Sequence, residues 1–280
     1  MTEAKPVVLT RKSYGGIALS PISESKSGVR IGIYGPGGTG KTTLAGTVVK
    51  SEWGGPALYL DARGNPEVIR SYGEQIQVIT LASFKQIEMV RKDLIMDSSR
   101  PFKSVILDNL SEMHAMCLRD LYGETADVDW RQHAAATADM LQLARNWSDL
   151  ATIHGLNIIF IMWETPETRT IREQEVSRSE IAFSKSLQAQ LPGIISWLGR
   201  LYIVDDEEPY TRCLDFRPIE TMHQAKFQID PNEPNVSQIP MEMYNPSLAS
   251  VLDTIKGGMP FPIKAHSKPK TKLDQFLARK

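Results

Sequence analysis

A glycine-rich stretch at residues 35–43, GPGGTGKTT, constrains this 280-residue chain more than any other feature. It follows the apolar run VRIGIYG and precedes a helical pattern, so it fits G-x-x-x-x-G-K-[ST] in the strand–loop–helix context that the pattern requires. Glycines let the backbone curl until successive N–H groups point inward at phosphate oxygens, and the N-terminus of the following helix adds a partial positive charge. The residues predicted to form this phosphate-binding loop are Gly35, Pro36, Gly37, Gly38, Thr39, Gly40, Lys41, Thr42 and Thr43.

Two side chains of the loop carry specific predictions. Lys41 is expected to reach the β- and γ-phosphates of a nucleoside triphosphate. The Thr42 hydroxyl is expected to ligate Mg²⁺. ATP and Mg²⁺ are therefore the predicted cofactors.

Apolar runs alternate with helical patterns along the chain, which predicts an α/β fold. The predicted strands are residues 29–35, 57–61, 104–110, 156–163, 200–204 and 211–216. The predicted helices are residues 41–50, 83–97, 131–153 and 246–256. The first four runs lack polar alternation, as expected for strands buried on both faces of a parallel sheet. The last two are joined by a hairpin-length turn, so we expect a mostly parallel central sheet flanked by helices, with an antiparallel strand pair at its C-terminal end.

Composition divides the chain into four parts and indicates its location in the cell. We expect a flexible arm at residues 1–28, an α/β core at 29–220, a proline-rich extension packing on the core at 221–263, and a basic, disordered tail at 264–280. The formal net charge of −1 argues against an evenly basic, nucleic-acid-coating surface. No apolar run reaches the length of a membrane span and the N-terminus lacks a hydrophobic signal core, so the prediction is a cytoplasmic protein with no membrane contact.

The run SVILDNL at residues 104–110 contains the second landmark, Asp108. A buried strand that ends in a carboxylate beside a phosphate loop can hold a Mg²⁺-bound water. Asp108 is therefore the predicted metal-side acid, together with Thr42. We also expect the loop strand and this acid strand to pair directly in the sheet.

Several stretches together resemble phage-encoded ATPases of the RecA-like superfamily, the core-only RecA relatives that accompany single-strand annealing and recombination functions. The stretches are GPGGTGKTTLA, PALYLDARG, SVILDNLSEM, VDWRQH and LPGIISWLGRLYIV with TRCLDFRP, and the resemblance covers residues 29–220. It implies a RecA-like P-loop fold and an ATPase that forms a ring or filament of identical subunits. It further implies action on single-stranded DNA in phage recombination, annealing, replication or repair, in the host cytoplasm, with a single-strand-binding protein as a further partner.

The resemblance also implies roles for particular residues. Glu164 lies at the end of the fourth strand, where RecA-like proteins place a polar residue that senses the γ-phosphate. It is therefore a candidate sensor or a substitute acid, and the alternative is a solvated carboxylate. A basic residue from a neighbouring subunit commonly completes such sites, and Arg212 and Arg217 are the candidates. Either can instead be a surface charge, which is slightly favoured for Arg212, so Arg217 is the predicted residue. The following loop touches single-stranded DNA in these proteins, which implies DNA-binding roles for Arg169, Arg172, Arg178 and Lys185.

Two features of the DNA interpretation have ordinary alternatives. The segment 164–186 also contains five glutamates, so it can equally be a charged surface helix or hairpin. Trp130, with Arg131 and His133 beside it, is suited to stacking on bases, or to burial under a loop.

Arg63 departs from the RecA-like pattern, which usually has a glutamate at the end of the second strand to orient the attacking water. Guanidinium keeps its proton at any ordinary pH, so Arg63 cannot act as a base. Three alternatives remain: Asp61 takes this role, Glu67 folds back to take it, or hydrolysis is slow and ATP acts mainly as a conformational ligand. Arg63 itself can also serve the site by neutralising phosphate charge.

Other functions remain open beside an ATP-dependent DNA protein. A packaging or helicase motor would use the same loop, and so would a small-molecule kinase with a lid formed by residues 164–186. A nucleotide-gated scaffold or partner-binding subunit is the non-enzymatic alternative, and Arg63 favours it.

Overall fold

The computed structural model describes residues 13–14, 17–18, 27–63, 66–123, 129–171, 173–204, 210–219, 222–227 and 235–266. Most of the predicted N-terminal arm and most of the predicted basic tail lie outside these residues. Arg172 and the side chain of Arg169 also lie outside them.

A central sheet dominates the fold. Strands β1 (Ser13–Tyr14) and β2 (Ile17–Ala18) form a separate N-terminal hairpin. The other strands are β3 (Arg30–Gly35), β4 (Ala57–Asp61), β5 (Ile76–Thr80), β6 (Ser104–Asp108), β7 (Asn157–Ile171), β8 (Gln174–Ile181), β9 (Trp197–Ile203), β10 (Arg212–Asp215) and β11 (Glu242–Tyr244). The order across the sheet is β5-β4-β6-β7-β3-β9-β10-β11. Neighbours from β5 to β9 pair in parallel, whereas β10 and β11 are antiparallel. The predicted α/β fold, with a mostly parallel sheet and an antiparallel pair at its C-terminal end, is confirmed.

Helices cover both faces of the sheet. They are α1 (Lys41–Gly46), α2 (Phe84–Met96), α3 (Leu110–Tyr122), α4 (Trp130–His154), α5 (Lys185–Ile194) and α6 (Leu248–Gly257), with 3-10 turns at Thr47–Lys50, Pro66–Gln75, Val236–Gln238 and Ile263–His266. The sequence sets the limits of α4 locally: Asp129 and Gln132 form a capping box at its start, and Gly155 ends it in a left-handed conformation. None of the described helices has the length and apolar character needed to cross a lipid bilayer.

Alternation along the strands divides the core into two layers. One layer includes Ile33, Ile106 and Ile161 and packs against α1 and α6; we call this side of the sheet the α1 face. The other includes Leu107 and Met162 and packs against α2, α3, α4 and α5; we call it the α4 face. Because successive side chains of a strand point to opposite faces, each position near the sheet's carboxyl edge can be assigned to one of them.

Strand β7 has two parts. Its first half lies in the central sheet between β3 and β6. From Glu164 onward it continues as a hairpin with β8, paired from Glu164↔Ile181 to Ile171↔Gln174. The segment 164–186 is thus mainly this β7–β8 hairpin, which leads into α5.

The structure corrects several local predictions. The loop strand β3 and the acid strand β6 do not pair directly, because β7 lies between them. The predicted strand 104–110 ends at Asp108, because Asn109 caps α3 by accepting a hydrogen bond from the Glu112 N–H at 2.8 Å. Strands β5 and β11 and helices α3 and α5 were not among the predicted strands and helices.

Candidate active site

The glycine-rich loop joins β3 to α1 at the carboxyl edge of the sheet. Gly38 and Gly40 have φ angles of +77° and +90°, a region that residues with a Cβ atom rarely adopt. A Cβ atom at Gly38 would meet nothing within 4 Å, so the positive φ angle, and not a lack of space, is what favours glycine there. The Thr39 hydroxyl donates to the Pro36 carbonyl at 3.0 Å and fixes the turn from within. The loop thus has the form that an anion cradle requires.

Lys41 begins α1 and folds back over the loop. Its Nζ donates to the carbonyls of Gly35 at 2.8 Å and Pro36 at 2.7 Å. Burial lowers the pKa of Lys41, and the charge of Arg63 acts in the same direction, while Asp108 and Glu164 oppose them. An ammonium group has three N–H donors, so one remains to meet a phosphate oxygen.

Asp108 lies where the prediction puts the metal-side acid. It follows Ile106 by two residues and therefore faces the α1 side, where its Oδ2 accepts hydrogen bonds from Thr42 at 2.5 Å and Tyr59 at 2.9 Å. Burial raises the pKa of Asp108, although both hydrogen bonds favour the ionised form. Burial likewise raises the pKa of Tyr59, which keeps the phenol protonated as a donor.

The residues present fit a Mg²⁺ ion held jointly with a nucleotide. Mg²⁺ is usually bound through one or two carboxylates, substrate phosphates and waters rather than by a dedicated protein cage. Thr42 and Asp108 supply one hydroxyl and one carboxylate in direct contact. Among the described residues no group of three or more His, Cys, Asp or Glu side chains forms such a cage. When bound, the ion would neutralise phosphate charge.

Asp61 and Arg63 lie next to this acid, at the end of β4. Asp61 is opposite Asp108 in the register and accepts a hydrogen bond from the Arg63 N–H at 3.0 Å. The guanidinium carbon of Arg63 lies 5.3 Å from the centre of the Trp163 ring, a cation–π contact. Glu67, the other proposed acid, is exposed and pairs with Arg70 at 2.6 Å. Of the two acids, Asp61 is the one beside Asp108.

The geometry corrects the assignment of Glu164. It follows Met162 by two residues, so its side chain belongs to the α4 face, away from the loop. There it forms a bidentate pair with Arg200, at 2.7 and 2.9 Å, and accepts a hydrogen bond from Ser179 at 2.9 Å. Trp163 instead faces the α1 side, directly opposite Gly35 in the register. Glu164 influences Lys41 only through its charge.

Arg212, the first residue of β10, and Arg217, just beyond its end, lie on opposite faces of the sheet. Arg217 binds Asp215 with Nη2–Oδ2 at 2.6 Å and also pairs with Glu242 at 3.1 Å, on the α4 side. Arg212 precedes Leu214 by two residues, faces the α1 side, and its Nε donates to the Thr39 carbonyl at 3.0 Å. Within one chain it is therefore Arg212, and not Arg217, that contacts the phosphate loop. A role for Arg217 on a neighbouring copy stays a prediction.

The predicted DNA-binding cations have different surroundings. The Arg178 side chain is only 9% exposed, and its Nε lies 2.6 Å from Glu180 Oε1. Lys185 pairs with Glu167. Trp130 is 74% exposed, with the Arg131 guanidinium 5.3 Å from its ring centre, so the alternative of a buried tryptophan is wrong.

A model of the AAA domain family matches residues 27–226, well over half of the chain. The chain belongs to the AAA domain family. The matched region contains the phosphate loop, the acid strand β6 and both Arg63 and Arg212. Members of this family are in general P-loop ATPases, which agrees with the predicted nucleotide site. No curated protein matches the chain.

Three side chains of this AAA domain site escaped the sequence reasoning. Tyr59 and Trp163 were treated only as members of apolar runs. Arg212 was considered for the site of a neighbouring subunit, but a surface charge was favoured. Alternation would have separated Arg212 from Arg217, because they differ by an odd number of positions. It could not have said which of them faces α1, because that depends on the order of the strands.

Proposed function

We propose that the protein is an ATP-binding, slowly hydrolysing RecA-like ATPase that oligomerises and acts on single-stranded DNA in phage recombination, annealing, replication or repair. One observation carries the ATPase part: the Thr42 hydroxyl of the phosphate loop contacts the Asp108 carboxylate at 2.5 Å, beside Lys41. The DNA part and the ring or filament are supported by the sequence resemblance. The test is ATP turnover measured with and without single-stranded DNA, and stimulation by DNA is the expected result.

Slow hydrolysis is supported by the surroundings of Arg63. A cation stacked on Trp163 stands where RecA-like proteins usually have a water-orienting carboxylate. The nearest remaining acid, Asp61, is already engaged by the Arg63 N–H. Positioning and electrostatics provide most of phosphoryl-transfer catalysis, so loss of the water-orienting group slows turnover without preventing binding.

Arg63→Glu is expected to raise turnover at saturating ATP, because it puts a carboxylate where RecA-like proteins orient the attacking water. ATP affinity should fall about tenfold or more, because the change replaces a cation beside Lys41 by an anion. Isothermal titration and steady-state phosphate release measure the two effects. Arg70→Glu is the matched control, since that side chain is 77% exposed and makes the same change of charge. A slower Arg63→Glu enzyme at saturating ATP would show instead that Arg63 already serves the site and that a missing carboxylate does not limit the parent.

The β7–β8 hairpin and Trp130 support a DNA-binding surface at one end of the molecule. Thr137 of α4 bonds to Ser184 at 3.1 Å, just after the hairpin, so the exposed start of α4 lies near its base. Bases stack on exposed aromatic rings without sequence preference, and arginines contact phosphates. Arg178 and Lys185 each pair with a carboxylate, so Arg169 and Arg172 are the two cations of the predicted set to test first.

Arg169→Ala with Arg172→Ala is expected to weaken single-stranded-DNA binding and to flatten its salt dependence. Each lost phosphate contact removes about 0.7 from the slope of log K against log salt, so the double variant should lose about 1.4. Fluorescence anisotropy over a series of salt concentrations gives this slope. Lys92→Ala with Arg145→Ala removes equal charge from exposed helical positions and is the control. Equal slopes in both variants would move the DNA site away from the hairpin.

A nucleotide-gated scaffold is the second candidate, and the Arg63–Trp163 contact favours it. In that case ATP would act as a ligand that changes assembly or partner binding. Tight ATP binding with no turnover, with and without DNA, would select the scaffold.

A further inference from the structure

Arg212 is held against the phosphate loop by the fold of its own chain. It pairs with Ile203 of β9, and its carbonyl accepts a hydrogen bond from the Asn245 N–H at 2.7 Å, so its backbone is fixed from both sides. Its side chain points to the α1 face and reaches the loop, where Nε donates to the Thr39 carbonyl. A rigid pair of strands thus presents a guanidinium to the start of α1.

The contact with Gly40 is close. A Cβ atom on Gly40, the residue that caps α1, would lie 3.0 Å from Arg212 Nε and 3.7 Å from its Cζ. The guanidinium therefore packs directly against the turn that orients the loop's last N–H groups. Among the described residues, the terminal Nη groups of Arg212 have no hydrogen-bond acceptor. Their N–H groups can therefore donate to a ligand, and a phosphate oxygen is the acceptor that a guanidinium binds well.

The charges around the loop favour the same ligand. Lys41 and Arg63 lie towards β7 and β4, with the carboxylates Asp61 and Asp108 beside them. Arg212 comes from the opposite flank, beyond β9, so cations approach the loop from both sides. The negative charges of these two carboxylates offset the positive charges of Lys41 and Arg63. The charge of Arg212 therefore makes this group of five side chains net positive.

We propose that Arg212 is a phosphate-binding residue of the nucleoside triphosphate site and that it acts in cis, on the loop of its own chain. This inference rests on the proposed ATP-binding function and deepens it. It replaces Arg217 as the arginine that completes the site, and it removes the need for a neighbouring subunit to supply that charge.

Three substitutions separate charge from loop support. Arg212→Gln keeps a donor for the Thr39 carbonyl but loses the charge, and we expect ATP affinity to fall about tenfold to a hundredfold. Arg212→Lys keeps the charge and should retain most of the affinity, with a loss of about threefold to fivefold for the missing fork. Arg145→Ala removes an exposed arginine from α4 and should bind ATP like the parent. Titration calorimetry gives the affinities, and melting without nucleotide shows whether each variant is folded.

The outcomes distinguish this inference from the function on which it rests. If the parent binds no ATP, the proposed function fails. If the parent binds and Arg212→Gln binds equally well, Arg212 only supports the loop and the inference is overturned. A fall in affinity of equal size in Arg212→Lys and Arg212→Gln would also overturn it, since charge would then be irrelevant.

Mixing two variants that each bind ATP poorly tests whether Arg212 acts in cis. In an equimolar mixture of Lys41→Ala and Arg212→Gln, an arginine acting in trans would complete the intact loop of its neighbour and restore ATP binding. An arginine acting in cis leaves every site defective, so we expect the mixture to bind no better than the mean of its components. Restored binding would overturn the assignment in cis.

Discussion

Replacing Lys41 by alanine is expected to lower the affinity for ATP about a hundredfold or more and to abolish any turnover. The ammonium group contributes charge-assisted hydrogen bonds to phosphate oxygens, each worth about 1.5–3 kcal/mol, and about 1.4 kcal/mol corresponds to a factor of ten in affinity. Loss of one such bond, together with the Coulomb attraction between the ammonium charge and the phosphates, gives the expected size. Titration calorimetry with ATP, with and without Mg²⁺, measures it.

Lys50→Ala is the matched control for this variant. Lys50 is exposed and ends the 3-10 turn Thr47–Lys50 that follows α1. Its Nζ lies 5.8 Å from the centre of the Tyr72 ring rather than against the loop. Lys41→Ala also removes the donors that hold the Gly35 and Pro36 carbonyls, so circular dichroism should confirm that the fold persists. Parent-like ATP binding by Lys41→Ala would place the nucleotide elsewhere and refute the phosphate-loop site.

The central strands could be predicted from the sequence because burial on both faces leaves a plain signal. Runs such as ALYLD and SVILD are apolar between their terminal residues, and the structure buries every residue of both. Strand β5 gave no such signal, because it lies at the edge of the sheet and exposes Gln77, Val78 and Thr80. The hairpin that contains β8 was predicted only as one alternative for residues 164–186, because most of its charged and hydroxyl side chains suit a loop or a surface helix equally well.

The parts of the site that are contiguous in sequence could be predicted, and the parts that depend on which strands are neighbours in the sheet could not. The loop and Asp108 follow from short motifs, since each depends on residues that are neighbours in sequence. Whether Glu164 or Trp163 faces the nucleotide depends on which side of the sheet α1 covers. Whether Arg212 reaches the loop depends on β9 lying next to β3. Parallel strands of similar apolar character do not encode that order in their own residues.

Asp108→Asn is expected to lower Mg²⁺-dependent turnover about a hundredfold while making the nucleotide-free protein more stable. Asparagine keeps an oxygen that can accept from Thr42 and Tyr59, but it removes the charge that would hold a Mg²⁺-bound water. Affinity for ATP without Mg²⁺ should hold or rise, because a carboxylate no longer repels the phosphates.

The stability effect depends on pH in a defined direction. Burial raises the pKa of Asp108 in the folded state, so its contribution to stability is fully present below the unfolded pKa and is lost as pH rises through the folded pKa. Asparagine has no such loss, and the gain from Asp108→Asn should therefore be larger at pH 8 than at pH 4. Urea denaturation without nucleotide at those two pH values measures the gain.

Asp93→Asn is the control, since Asp93 is an exposed carboxylate on α2 and its replacement should change neither quantity appreciably. If Asp108→Asn kept full Mg²⁺-dependent turnover, Asp108 would not hold the metal, and Asp61 would become the acid to test. If instead turnover fell but stability fell equally at both pH values, the loss would reflect damaged packing around Thr42 and Tyr59. Only a fall in turnover combined with a pH-dependent gain in stability supports a buried carboxylate that is kept ionised for Mg²⁺ at a cost to the fold.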